Sequence, residues 1–169
     1  MGVRNYLIEG VSGSGKTSVA TELERRGFHV VHGDRVLAYQ GDLATGMPLS
    51  PEQRSTDLHF LNDHHIWDPA QVRAIAGDPT HEMTFFCGGS RNHGTFIHLF
   101  DAVFILEADW PTIERRLGTR VGEWGETEAE RAITRDLHRT GRDQPSDGIR
   151  IDTTRPLAAV VDDILSRCR

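Results

Sequence analysis

Short apolar segments recur along the chain and are separated by stretches with helical periodicity. Five of these segments have the length and the continuous apolar character of buried parallel strands. They cover residues 6–8, 28–31, 83–87, 101–106 and 149–151. Because strands that alternate with helices form a parallel sheet covered on both faces, the pattern predicts an α/β fold of three layers.

Two helices are marked by the spacing of their apolar residues. Residues 17–26 form the first, and Gly27 follows as a left-handed cap at its carboxyl end. The last helix has apolar residues at the spacing i, i+3, i+4, i+7 and i+8. These are Leu157, Val160, Val161, Ile164 and Leu165. Both helices are therefore expected to pack on the sheet.

Residues 41–80 show no strand pattern and are predicted to form a helical insert within one domain that spans residues 1–169. Ser50 and Asp68 each precede a proline, and both are predicted to cap a helix. A further helix is predicted for residues 35–40, with Asp34 as its cap.

Composition narrows the classes of protein that fit. The chain has 169 residues, a net charge of −6 and two cysteines. An acidic protein of this kind is not expected to bind nucleic acid generally, which requires a basic face. Two cysteines far apart are neither a disulfide framework nor a metal quartet. With no apolar run long enough for a membrane helix and no leader at Met1–Glu9, we expect a cytoplasmic protein.

The only lysine of the chain, Lys16, stands in a segment that fits the pattern G-x-x-x-x-G-K-[ST], residues 10–17. A predicted strand precedes it and a predicted helix follows, as a phosphate-binding loop requires. Backbone N–H groups and the helix N-terminus would surround phosphate oxygens, Lys16 would reach the β- and γ-phosphates, and Thr17 would bind Mg²⁺. The residues expected to bind nucleotide are Gly10, Ser12, Gly13, Ser14, Gly15, Lys16, Thr17 and Ser18.

This segment resembles the phosphate loop (P-loop) of the P-loop NTPases. The base-reading motif N-K-x-D of GTPases is absent, and so is the L-S-G-G-Q motif of ABC-type ATPases. The strand at residues 83–87 does not end in Asp-Glu, as it does in motor ATPases. The resemblance is therefore to the small P-loop kinases of the adenylate-kinase, shikimate-kinase and gluconate-kinase kind. It implies a five-stranded parallel sheet of order 2-3-1-4-5, with ATP and Mg²⁺ as cofactors.

In the small kinases, the ends of the second and third strands face the phosphoryl acceptor. Asp34 follows the second strand, and the resemblance implies that it orients or deprotonates the acceptor hydroxyl. Arg35 and Arg91 are candidate clamps for an acceptor anion, and Gly88 and Gly89 permit close approach of the acceptor. The simpler alternative is that Asp34 only caps a helix.

The resemblance also implies a short lid at about residues 120–127. Arg116 and Arg120 would bracket the lid and grip the transferring phosphate, and the loop containing Arg155 and Pro156 would lie against adenine. A capping box at Thr127 starts the next helix. That helix carries three arginines at a spacing of four, where like charges repel, so they need anionic partners. These are Arg131, Arg135 and Arg139. Glu128 and Asp136 offer carboxylates at a spacing of three, and the alternative favoured here is phosphate of the bound nucleotide, best suited to Arg131 or Arg135.

The acceptor expected first is a nucleoside, with a sugar acid such as gluconate second because residues 46–54 partly match a gluconate-kinase stretch. A nucleoside monophosphate kinase and a nucleotide-binding regulator without catalysis remain alternatives. The partners expected are ATP or ADP and a small-molecule acceptor, with neither nucleic acid nor membrane, in a monomer or homodimer. The insert also carries a group of histidines and a tryptophan. We expect these residues mainly to pack within the insert, and a metal site or an aromatic stacking surface is the alternative. These are His59, His64, His65 and Trp67.

Overall fold

The computed structural model describes residues 3–169. Seven strands and seven α-helices follow one another along this part of the chain. The strands are β1 (Arg4–Glu9), β2 (His29–His32), β3 (Ala38–Gln40), β4 (His65–Trp67), β5 (Met83–Cys87), β6 (Ala102–Glu107) and β7 (Ile149–Asp152). The helices are α1 (Lys16–Arg25), α2 (Gly33–Val36), α3 (Leu58–Asp63), α4 (Pro69–Ala76), α5 (Trp110–Leu117), α6 (Glu128–Thr140) and α7 (Leu157–Arg167).

Five strands form one parallel sheet in the order β2-β5-β1-β6-β7. Counted among themselves in chain order, they follow the expected arrangement 2-3-1-4-5. The whole-chain numbering differs because β3 and β4 form a separate antiparallel pair. The predicted α/β fold with a five-stranded parallel sheet is therefore confirmed.

The two faces of the sheet are covered by different helices because successive strand residues point to opposite sides. One face packs on α1 and α7, and the other packs on α4 and on the two 3₁₀ turns between β5 and β6. On the first face the buried residues include Tyr6, Ile8, Phe85 and Phe104 with Leu23, Val160 and Ile164. On the second they include Leu7, Phe86 and Ile105 with Trp67, Val72 and Phe96.

The helix predicted for residues 35–40 is wrong. Helix α2 ends at Val36, and the chain continues as β3, which pairs with β4. Leu37, the residue before β3, is 2% exposed and Trp67 of β4 is 1% exposed, so this part of the chain brings large apolar side chains into the core. Tertiary packing of these side chains outweighs the weak local helix signal. The expectation that the insert contains no strand fails for the same reason.

The predicted caps of the insert had mixed outcomes. Asp68 caps α4, and its side chain accepts a hydrogen bond from the N–H of Ala70. Ser50 does form a capping box with Gln53, but only one 3₁₀ turn follows, because Arg54 is already extended. Within residues 3–169 no helix has the length and apolar character needed to cross a bilayer.

Candidate active site at the carboxyl edge of the sheet

The P-loop connects β1 to α1 and is shaped by its glycines. A Cβ atom at Gly10 would lie 2.4 Å from the Ser14 hydroxyl and 2.8 Å from the Leu106 carbonyl, so no side chain fits there. Gly15 has φ 110°, a left-handed conformation that favours glycine, and it begins α1. The Lys16 ammonium donates to the carbonyls of its own loop, to Gly10 and, over 3.1 Å, to Val11.

Arg116 fastens the P-loop to the loop that follows β7. Its guanidinium donates to the carbonyls of Gly13 (3.1 Å) and Ser14 (3.2 Å), and to the carbonyl of Thr153 (2.7 Å). The Thr153 hydroxyl donates to the Ser14 carbonyl over 2.6 Å. Burial lowers the pKa of Arg116, and the neighbouring Arg115 lowers it further. These contacts are structural, and the expected role of Arg116 at the transferring phosphate stays a prediction.

Arg120 lies against the outer side of the P-loop. Its Nη1 donates to the Ser12 hydroxyl over 2.6 Å and to the Trp124 carbonyl over 2.7 Å. The segment containing Trp124 therefore approaches the P-loop, at the place expected for a lid.

Two cavities meet beside the P-loop. The nucleotide-side cavity, about 820 Å³, runs from the P-loop to Arg155 and Leu157. The acceptor-side cavity, about 430 Å³, lies between the P-loop, α3 and α6. Four residues line both cavities: Ser12, Lys16, Asp34 and Trp124. An ammonium and a carboxylate thus stand where the two cavities join.

The nucleotide-side cavity contains most of the residues predicted to bind nucleotide. Those that line it are Ser12, Gly13, Gly15, Lys16, Thr17, Ser18, Arg116, Arg120 and Arg155. Gly10 lines the acceptor-side cavity instead, the Ser14 side chain is fully buried, and Pro156 is the N-cap of α7. Thr17 lines the cavity that Asp34 also lines, so both contribute oxygen atoms of the kind that Mg²⁺ prefers as ligands.

Asp34 is held by groups from two parts of the chain, strand β4 and the loop after β5. Its Oδ1 accepts from the Trp67 indole N–H (3.2 Å) and the Gly89 N–H (3.2 Å), and lies 3.1 Å from His65 Nε2. Burial opposes ionisation, but the hydrogen bond with His65 and the charge of Lys16 leave the pKa of Asp34 below its ordinary value. The carboxyl group is therefore ionised at neutral pH and fixed in orientation.

Gly88 and Gly89 permit this arrangement. A Cβ atom at Gly88, where φ is 143°, would lie 2.8 Å from Asp34 Oδ1 and 2.8 Å from the Trp67 ring. Gly89 lines the acceptor-side cavity and supplies the N–H donor to Asp34. Their expected part in acceptor binding stays a prediction, but the missing side chain of Gly88 and the N–H of Gly89 both contribute to the position of Asp34.

The two candidate anion clamps line different cavities. Arg35 lines the nucleotide-side cavity rather than the acceptor side, because α2 turns its side chain toward the P-loop. Arg91 does line the acceptor-side cavity, but its Nη1 forms an ion pair with Asp143. Asp143 also accepts from Asn62 Nδ2 over 2.9 Å, so it joins the insert to the wall of the cavity.

Sequence reasoning missed Glu9, the last residue of β1. Its side chain is 2% exposed and lines the acceptor-side cavity. Burial raises the pKa of Glu9 to about 8, although the charges of Arg91 and Lys16 oppose this. A carboxyl group that directly ends a buried apolar strand was the available signal. His65 and Trp67 were noticed for other reasons, and their contact with Asp34 could not be read from their positions.

The three arginines of α6 contact protein groups rather than either cavity. Arg131 donates to the Gly125 and Glu126 carbonyls, and the Arg135 guanidinium lies 5.7 Å from the centre of the Trp110 ring. The Arg139 side chain forms an ion pair with Asp136 over 2.7 Å. Their expected contact with phosphate does not fit these positions. Between residues 3 and 169, no group of three His, Cys, Asp or Glu side chains is placed to hold a metal ion.

Comparisons with known proteins agree with the fold and the P-loop. The model of the isopentenyl transferase family matches residues 3–72. The chain is 28% identical over 172 residues to the thermoresistant gluconokinase of Escherichia coli K12, covering 92% of this chain and 88% of that one.

Two solved structures have similar folds. Shikimate kinase from Acinetobacter baumannii, in complex with shikimate, has a TM-score of 0.63 at 16% identity and covers 97% of this chain and 92% of its own. A gluconokinase from Sinorhizobium meliloti has a TM-score of 0.54 at 18% identity, with 96% and 90% covered.

Proposed function

We propose that the chain is a P-loop small-molecule kinase that transfers the γ-phosphoryl group of ATP to a hydroxyl group of a small metabolite, a proposal supported by its similarity to a gluconokinase and by its fold. The observation that supports this most directly is the junction of the two cavities at Lys16 and Asp34. A kinase needs a cation for the transferring phosphoryl group and a carboxylate for the acceptor hydroxyl, adjacent to each other.

On the nucleotide side, the P-loop amides and Lys16 would hold the β- and γ-phosphates. Mg²⁺, bound by the Thr17 hydroxyl and phosphate oxygens, would neutralise charge on the phosphates. Arg120, already hydrogen-bonded to Ser12, needs only a small movement of its guanidinium to reach a phosphate at the P-loop. Closure of the segment around Trp124 would exclude water and suppress hydrolysis of ATP.

On the acceptor side, Asp34 would orient the hydroxyl and take its proton. Its Oδ1 is occupied by three donors, whereas no protein donor within residues 3–169 contacts Oδ2, which is therefore available to the acceptor. Phosphoryl transfer passes through a loose transition state with little covalent chemistry for the protein to perform. Positioning and electrostatic stabilisation would therefore supply most of the rate enhancement.

A nucleoside is the first acceptor in this proposal. The acceptor-side cavity has an apolar wall of Leu61, Leu137 and Val11 and polar groups on Gln40 and Asn62. A molecule with a flat ring system at one end and hydroxyl groups at the other would place its ring against the apolar wall and its hydroxyl groups near the polar side chains. The cysteines, both free, are consistent with a cytoplasmic enzyme.

A sugar acid is the second candidate, supported by the 28% identity to a gluconokinase. The partial motif at residues 46–54 supports it less, because Met47 is 65% exposed and the segment does not line the acceptor-side cavity. A nucleotide-binding regulator without catalysis would bind ATP and release no ADP in response to any acceptor.

The test is ADP release from Mg²⁺-ATP with nucleosides, nucleoside monophosphates, sugar acids and shikimate, with Lys16→Ala as the blank. We expect one class of acceptor to stimulate turnover. With that acceptor, Asp34→Asn should lower kcat by about 10²- to 10⁴-fold while ATP binding is kept. Asp147→Asn, an exposed carboxylate outside the site, is the matched control. Full turnover by Asp34→Asn would refute the role of Asp34, and ATP binding without any acceptor-dependent turnover would favour the regulator.

A further inference from the structure

Buried polar atoms without partners gather at the acceptor-side cavity. Within residues 3–169, seven side-chain nitrogen or oxygen atoms are buried and make no hydrogen bond. Three of the seven belong to residues that line this cavity: Glu9 Oε2, Gln40 Oε1 and Arg91 Nε. A buried polar atom without a hydrogen-bond partner destabilises the folded protein. Their concentration in one cavity indicates a surface shaped for a polar ligand.

Glu9 and Arg91 present an acceptor and a donor at the same point. A Cβ atom built on Gly89 would lie 3.0 Å from Glu9 Oε1 and 3.3 Å from Arg91 Nη2. Despite this proximity, the two side chains form no ion pair with each other in the described part of the chain, and Lys16 forms none with Glu9. A hydroxyl group both donates and accepts, so it can satisfy such a pair at once.

The charge of Arg91 is already balanced. Its ion pair with Asp143 is buried, with 14% and 15% of the two side chains exposed. Lys16 faces the P-loop, and Asp34 adds a second carboxylate to the cavity wall. With ATP bound, its phosphates would balance the charge of Lys16, so a carboxylate or phosphate on the acceptor would meet the Asp34 carboxylate without a free cation of this cavity to balance it, which is costly in a buried site.

We propose that Glu9 and Arg91 form a hydroxyl-recognition subsite, which binds a second hydroxyl of the acceptor and selects uncharged polyhydroxylated acceptors over acidic ones. This inference rests on the proposed kinase function, since the reacting hydroxyl is the one at Asp34. It favours a nucleoside or a neutral sugar over a sugar acid or a nucleoside monophosphate. Glu9 binds a hydroxyl in either protonation state, because a carboxylic acid also accepts and donates.

The experiment compares two matched pairs of probes, adenosine with AMP and glucitol with gluconate. Each pair keeps the carbon skeleton: AMP carries an anionic phosphate on the 5′-hydroxyl of adenosine, and gluconate carries a carboxylate in place of the C1 hydroxymethyl group of glucitol. Binding is measured by calorimetry, and turnover by ADP release from Mg²⁺-ATP. We expect the wild-type protein to prefer the uncharged member of at least one pair. Glu9→Met should raise the KM or Kd of that probe about 10- to 100-fold with a smaller effect on kcat.

Glu9→Gln should keep much of this binding, because an amide still pairs with a hydroxyl. If the role of Glu9 were purely structural, Glu9→Met and Glu9→Gln would not differ in their affinity for the uncharged probe relative to the charged one. Glu114→Gln, on the exposed face of α5, serves as the control and should behave as wild type. Thermal unfolding of each variant checks that it is folded.

The outcomes distinguish this inference from the proposed function. Binding of an uncharged probe that depends on Glu9, without ADP release, supports the subsite and removes the kinase proposal. The opposite result is that gluconate or AMP is turned over in preference to its uncharged partner and that Glu9→Met leaves this preference unchanged. That result supports the kinase proposal and overturns the proposed subsite. Failure of both uncharged probes to bind also overturns the subsite.

Discussion

Replacing Glu9 by glutamine should change how the stability of the protein depends on pH. The Glu9 side chain is 2% exposed and its Oε2 makes no hydrogen bond within residues 3–169. Burial therefore raises its pKa from the ordinary value of 4.5 to about 8. In the folded protein the group keeps its proton at pH values where the unfolded chain has lost it. Unfolding then releases a proton, so the free energy of unfolding falls as pH rises between these two values.

The magnitude follows from the same two values. Each pH unit within this range lowers the free energy of unfolding by about 1.4 kcal/mol. From 4.5 to about 8, the loss is on the order of 5 kcal/mol, a large part of the stability of an ordinary domain. Glutamine has nearly the same shape and no titrating proton, so the Glu9→Gln variant should lack this loss while other groups titrate as before.

The assay is urea unfolding of both proteins at constant ionic strength from pH 5 to pH 9. The difference in unfolding free energy, wild type minus variant, should fall steadily up to about pH 8 and then level off. Parallel profiles would refute the reasoning, since they would show that Glu9 titrates alike in the folded and unfolded states. A difference that rises with pH would show that Glu9 is stabilised as the ion by Arg91 or Lys16.

Two further predictions concern the position and charge of Asp34. Gly88→Ala should lower kcat at least about tenfold with nucleotide binding kept, because the new Cβ would lie 2.8 Å from Asp34 and from Trp67. Gly94→Ala, where a Cβ meets nothing within 4 Å, should have no such effect in the same ADP-release assay. His65→Ala should move the acid limb of the kcat/KM profile to higher pH, because loss of this hydrogen bond raises the pKa of Asp34. An unchanged limb would show that Asp34 ionisation does not control the rate.

The P-loop and the parallel strands could be predicted because their signals are local. A glycine-rich loop between a strand and a helix carries its geometry within eight residues, and Met83–Cys87 was predicted with the observed bounds. The β3 strand could not be predicted in this way. This strand is held by pairing with β4, and 24 residues separate the two strands in the sequence. Nothing within residues 38–40 themselves distinguishes a short strand from the end of a helix.

The environment of each site residue was harder to predict than its presence. Asp34 was identified from its place after the second strand, but its contacts with His65 and Trp67 cross the antiparallel β3–β4 pair. Arg91 was identified as an anion clamp, yet Asp143 neutralises it from a loop far along the chain. Such pairings depend on tertiary structure. Residue type and spacing alone therefore identify the candidate site residues, but they do not predict which partners neutralise their charges.

The pairing of the central sheet has a consequence for how the chain reaches its native state. Strand β1, which leads into the P-loop, pairs only with β5 and β6. Even the two paired strands that are nearest in sequence, β6 and β7, join Phe104 to the distant Ile149. A topology with so many contacts between distant segments folds slowly for its size. During synthesis, residues 4–9 have no strand partner until residues 83–87 have left the ribosome, so the apolar β1 strand stays exposed for half of translation. The strand that precedes the P-loop therefore waits longer for a partner than any other strand of this sheet, and in that interval the growing chain is open to aggregation and to capture by chaperones.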